Sequence, residues 1–263
     1  MRRYLKFASL LLVSNLLFGF GVLGSYDFLK NKREIYIDPI NYNEKKLDEK
    51  WAREVIKGSY LLWFRHAERD KWVGTVTVYD WEQISKSIDA SKTEWANAVC
   101  LNTKGSQEAQ LIGRVFSELK VNYSEVISSP SCRAMQMSRL AWRQPDQIWL
   151  SLLHPTAITL DQSELFAKDL GMRISNLQLQ PGKNVIISGH GNTLTVYSKT
   201  LFLKKINPLT QLNMDESGFA VLGIENGKLI LHHVFKNFYN FGNTVLEYPD
   251  PSSWVYKNNK EGK

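Results

Sequence analysis

YLLWFRHAERDKW, Tyr60 to Trp72, decides how this chain is read. An apolar run ends abruptly in Arg65 and His66, with Glu68, Arg69 and Asp70 close behind. A short apolar run bounded by polar residues predicts a strand buried on both faces. The reading turns on whether other strands end in the same chemistry.

Two others do. SEVISS, Ser124 to Ser129, predicts a strand that stops at Pro130, and Ser131 opens a helix carrying Arg133 in its first turn. NVIISG, Asn184 to Gly189, predicts a buried strand that runs into His190, and NTLTVYSKTLFL continues as a helix. Between the first two lies TKGSQEAQLIGRVFSELK, with Ala109, Ile112, Val115, Phe116 and Leu119 at helical spacing and Thr103 as its N-cap. Further on, AITL (Ala157 to Leu160) reads as a strand and DQSELFAKDLGMRISNL as a helix that stops by Pro181-Gly182. GFAVLGIE and KLILHHVF form a hairpin through Asn226-Gly227. Strands alternating with helices predict an α/β fold with a mostly parallel sheet covered on both faces and an antiparallel strand at one edge.

In an open α/β sheet, ligands bind beyond the carboxyl ends of the strands. If the three strands are parallel neighbours, Arg65, His66, Arg133 and His190 meet at one edge, with the helix N-termini after Ser131 and Gly191 beside them. Guanidinium groups hold phosphoryl oxygens in a fixed fork. A neutral imidazole attacks phosphorus, and a protonated one stabilises the equatorial oxygens.

RHAER, LNTKGSQEA, ISSPSCRAMQMS and ISGHGNT, in this order, resemble the motifs of the histidine phosphatase superfamily, the phosphoglycerate mutase-like fold. The resemblance spans about Tyr60 to about Phe235. It implies a three-layer αβα sandwich, no cofactor and no metal. It also implies His66 as nucleophile, His190 as second histidine, and Arg65 and Arg133 as phosphate clamp. Arg69 matches an arginine that some members add to the phosphate pocket. Ala67 replaces the family's usual glycine, which requires a negative φ there. For the general acid, Asp161 lies at about the expected distance past Arg133, with Glu164 and Glu68 as alternatives; Asp161 equally suits the N-cap of the helix it opens. His154, before Pro155, reads as a loop residue that caps backbone groups or rims the pocket. The long segment after the first motif, with Trp72, Tyr79, Trp81 and Trp95, is either a substrate-covering flap or an ordinary insertion.

The rest of the chain sets the context. Its 263 residues are enough for one sizeable α/β domain with a real core, or for two small domains. A net charge of +7 suits anionic partners. No nucleic-acid motif accompanies it, and the expected partner is a phosphorylated small molecule or glycan. MRRYLK followed by the uncharged Phe7 to Gly24 reads as an export signal within residues 1–25, either cleaved or kept as a membrane anchor. That places the protein in the periplasm, or on the inner membrane facing it. Residues 26–57 read as a linker with a short helix, 58–240 as the phosphatase domain and 241–263 as an irregular tail. Export permits a disulfide between Cys100 and Cys132, and two free thiols fit the sequence as well. The expected activity is phosphomonoester hydrolysis through a phosphohistidine, on a phosphorylated sugar or envelope glycan. A non-catalytic phospho-ligand module and a phosphomutase are the alternatives.

Overall fold

Leu61 and Trp63 face one way along the first strand and Leu62 and Phe64 the other, and all four are buried. A strand apolar on both faces needs cover on both, which is why the sheet lies between two layers of helices. A computed structural model describes residues 42–70, 99–155 and 159–247. The Phe7–Gly24 segment, the aromatic stretch 71–98 and the tail from 248 onward therefore lie outside the described residues. Lys46–Lys263 forms one compact unit.

In chain order, the described elements open with helix α1 (Tyr42–Lys57) and strand β1 (Leu61–Arg65), then α2 (Thr103–Glu118), β2 (Tyr123–Ser128) and α3 (Cys132–Ala141). The two-residue β3 (Gln147–Ile148) leads into a 3₁₀ turn, Leu150–Leu152, and then α4 (Leu160–Asn176). β4 (Asn184–Gly189), α5 (Gly191–Val196), α6 (Ser198–Leu201) and α7 (Pro208–Gln211) follow. β5 (Phe219–Glu225), β6 (Lys228–Phe235) and α8 (Phe238–Glu247) close the described chain. The sheet order is β3-β2-β4-β1-β5-β6. β3, β2, β4 and β1 run parallel, while β5 runs against both β1 and β6.

One face of the sheet packs Leu62, Phe64, Val126, Ile186 and Phe219 against α1, α2, α3 and α8. The other packs Leu61, Trp63, Ile127, Val185 and Ile187 against α4, α5 and α6. Each large apolar side chain removed from water contributes about 1.5–3 kcal/mol, so two such layers hold the sheet between them. The β5–β6 turn places Asn226 at φ 51° and Gly227 at φ 70°. Two successive left-handed residues make the turn whose twist matches a hairpin, and Asn-Gly is the pair that tolerates it.

Several boundaries differ from the sequence reading. The N-cap of α2 is Asn102, whose side chain accepts from Gly105 N at 2.8 Å; Thr103 is the first helical residue. Leu160, read as the end of a strand, opens α4 behind a Thr159–Gln162 capping box. The segment following His190 is two short helices with a break at Tyr197. Residues 241–247, read as irregular, continue α8, because Phe238, Phe241 and Val245 recur at helical spacing and are buried. The helix assigned to the 26–57 linker docks on the domain: Ala52 and Val55 are buried and Asp48 Oδ1 lies 2.6 Å from His233 Nε2. Among the described residues, no helix is long and apolar enough to cross a membrane.

Candidate active site

Strand register builds the site. Arg65 pairs with Gly189 across β1 and β4, and Ser188 pairs with Ser128 across β4 and β2. The residues that follow these strands therefore emerge side by side. His66 N donates to Gly189 O at 3.0 Å and Ser129 N to Ser188 O at 2.9 Å, which extends the ladder one step past each strand. Arg133 sits in the first turn of α3, and His190 is the N-cap of α5. His66, His190 and Arg133 are 5%, 1% and 1% exposed, unusual burial for such polar groups without a task for them.

The His66 and His190 rings stand edge to face, with centroids 5.4 Å apart. His66 Nδ1 lies 2.8 Å from Ala67 O. A carbonyl only accepts, so Nδ1 carries the proton and Nε2 keeps its lone pair. Burial, and then the Arg133 charge, push the His66 pKa well below the usual imidazole value, so the ring is neutral at pH 7. Ala67 is buried and is not among the residues with positive φ, so a methyl group fits where the family's usual glycine would stand.

His190 Nε2 lies 3.3 Å from Ser129 Oγ and 3.2 Å from Ser131 Oγ. Ser131 is the N-cap of α3, yet its hydroxyl makes no capping bond; it serves the imidazole. His190 Nδ1 is buried with no hydrogen-bond partner among the described residues, which leaves it for a ligand oxygen. Burial, followed by the Arg133, His66 and His154 charges, also pushes the His190 pKa well down.

Three arginines face this pair. Arg65 Nη1 donates to Met214 O at 2.7 Å, and its Nη2 lies 3.9 Å from Glu216 Oε1. Arg69 Nη1 donates to Asp70 O at 2.9 Å, and Arg133 Nη1 to Val99 O at 3.4 Å. Burial pulls the Arg133 pKa down to about 9, the Arg69 charge adds to this, and Glu216 opposes it. Burial is also the main cause lowering Arg69, again with Glu216 opposing. Three guanidinium charges against one carboxylate leave about two positive charges, a match for a phosphoryl dianion.

A disulfide joins Cys100 to Cys132, which resolves the choice between bonded and free thiols. It ties the chain entering α2 to the first residue of α3, next to Arg133. Leu101 N donates to Gln136 Oε1 at 2.7 Å and fastens the same segment to the same helix.

Asp161 and Glu164 are exposed on α4, and neither makes a hydrogen bond or ion pair among the described residues. The N-cap of α4 is Thr159, so Asp161 does not cap the helix as the alternative reading had it. Glu68 pairs with Lys104. Its main chain is gripped by α2: Asn102 N donates to Glu68 O at 3.2 Å, and a Cβ on Gly105 would lie 2.0 Å from that oxygen, so only glycine fits. The sequence reading missed Glu216. The pairing of β5 with β1 brings it there: the antiparallel strand begins where β1 ends, so the residues before Phe219 reach the site. Ser217 N accordingly donates to His66 O at 3.0 Å.

No family model matches the sequence, and neither does any curated protein. Solved structures do. The fold is similar to that of the protein histidine phosphatase SixA complexed with tungstate, at 14% identity and a TM-score of 0.43, over 67% of this chain and 96% of that one. It is similar to mycobacterial glucosyl-3-phosphoglycerate phosphatase at 13% identity and 0.46, over 68% and 98%. A third is the alpha-ribazole phosphatase from Shigella flexneri, at 16% identity and 0.45, over 68% and 97%. This chain is a mixed six-stranded sheet with helices.

Proposed function

We propose that this protein is a phosphomonoester hydrolase that works through a phosphohistidine at His66. The observation that carries the reading is the convergence of His66, His190, Arg65, Arg69 and Arg133 on one sheet edge, with Glu216 trimming their charge to suit a dianion. His66 Nε2 attacks phosphorus, and the P–O ester bond breaks as the P–N bond forms. The guanidiniums hold the equatorial oxygens, and His190 Nδ1 faces the developing charge. Water then opens the phosphohistidine and releases phosphate.

The uncharged run after MRRYLK supports a site of action outside the cytoplasm, and a phosphorylated sugar or envelope glycan as substrate. The test is a screen of phosphorylated metabolites and envelope sugars, scored for released phosphate, with His66→Ala as blank. Turnover that falls by about 10⁴-fold or more in the variant supports the reading. Release that survives the substitution, or no release from any compound, overturns it.

A further inference from the structure

His154 is the one histidine near the pocket that the chemistry above does not use. It follows the 3₁₀ turn that leaves β3, and its ring centroid lies 5.4 Å from that of His190, edge to face at 74°. Its place is built rather than incidental. Trp149 N donates to Ser128 O at 3.0 Å, which fixes the start of the turn to the end of β2. Leu153 N donates to Leu150 O at 3.0 Å, and Leu152 and Leu153 are buried beneath the turn. Thr193 Oγ1 donates to Leu153 O at 3.5 Å, which fastens the residue before His154 to the first turn of α5, beside His190.

A phosphomonoester with an ordinary alcohol as leaving group needs a proton on the departing oxygen. The carboxylates expected to act as acid are exposed or engaged elsewhere, and the one among the guanidiniums is their counter-charge. Asp161 and Glu164 face solvent, Glu68 is engaged by Lys104, and Glu216 stands among the guanidiniums as their counter-charge.

We propose that His154 is the proton carrier of this site, an inference that rests on the phosphatase reading above. As His66 Nε2 bonds to phosphorus, the P–O bond breaks and its electron pair goes to the ester oxygen. That oxygen takes a proton from the His154 imidazolium and leaves as the alcohol. The neutral His154 then takes a proton from the attacking water; the resulting hydroxide bonds to phosphorus, and the P–N pair returns to His66.

The charges around the ring suit this cycle. Burial and the charges of Arg133, Arg65 and Arg69 pull the His154 pKa down to about 4. A bound dianion offsets those charges, with Glu216 already cancelling part of them, so the ring gains proton affinity as substrate arrives. The proton that leaves on the alcohol is replaced by the one taken from water, so His154 ends each turnover protonated as it began.

The experiment compares the wild type and His154→Gln on aryl phosphates graded from p-nitrophenyl phosphate to phenyl phosphate, with vanadate affinity measured alongside. An electron-poor phenolate leaves without a proton; phenol does not. Expected is a kcat/KM on p-nitrophenyl phosphate within about threefold of wild type, a loss of about 10²-fold on phenyl phosphate, and unchanged vanadate affinity. An equal loss across the series, no loss at all, or a fall in vanadate affinity that matches the rate loss overturns the proposal, since each marks a structural role or none. A wild type inactive on every ester overturns the phosphatase reading itself, and this inference with it.

Discussion

The five histidines of this chain fall into two groups, and their neighbours set them apart. At the parallel strand ends, His190 lies edge to face with both His66 and His154, and the three face guanidiniums. On the antiparallel hairpin, His232 stacks on Trp51 at 5.0 Å, and His233 holds Asp48 at 2.6 Å. His66 and His190 are buried, whereas on the hairpin His232 is exposed and His233 partly buried. Beside cations, an imidazole sheds its proton and keeps a lone pair for chemistry. Beside a carboxylate and an indole, the same ring fastens a helix: His233 pins α1 to β6, and nothing reactive is left over.

The largest effect that sharpens this contrast is expected from Arg133→Lys. Lysine keeps the charge and loses the fork, so kcat/KM should fall by about 10²-fold. An unchanged rate would show that charge alone, without planar geometry, defines the strand-edge group. Next is reduction of the Cys100–Cys132 bridge, which closes a loop of 32 positions. Urea unfolding of the reduced protein should show about 3–4 kcal/mol less stability. The KM for the best phosphoester should rise as well, since the bridge abuts Arg133; a KM that stays put would break the link between the bridge and the clamp.

A smaller effect is expected on the hairpin side. Asp48→Ala should cost about 2 kcal/mol in urea unfolding, because it leaves a buried ring without its partner. It should leave kcat within about twofold, and a larger drop in rate would mean that the two groups communicate. The gentlest test is titration. His66, His190 and His154 bind protons less readily in the folded chain than in the unfolded one, whose histidines titrate near 6.5. The unfolded state therefore takes up more protons as pH falls through about 6.5. Stability should decline from there toward about 4, where His154 itself titrates, with a slope of up to about one proton per buried ring. Saturating phosphate should flatten the decline, since a bound anion raises the proton affinity of these rings.

What the sequence disclosed follows the same division. The ends of β1, β2 and β4 were legible because each is an apolar run with an abrupt polar stop, a purely local pattern. Arg65, His66, Arg133 and His190 came with them, and the register explains their meeting. Glu216 was not legible, since its nearness to Arg65 depends on β5 running against β1. The bond between Cys100 and Cys132 depends on how α2 enters beside α3, which spacing along the chain does not encode. β3 is two exposed residues long, too short for any periodicity. The helix at Phe238–Glu247 was obscured by Asn240, Gly242 and Asn243, which read as loop residues although Phe238, Phe241 and Val245 keep helical spacing.

The hydrogen bond from Arg65 to Met214 O spans 149 positions of sequence. The first and last thirds of the domain thus meet at the candidate site, and neither supplies it alone. Contacts this distant form late and carry a large loop-closure entropy. The pocket and the completed fold should therefore come into being together. A chain still emerging during synthesis has no means of gripping phosphate, and the amides of His66 and Ser217 should exchange with solvent only when the whole sheet opens.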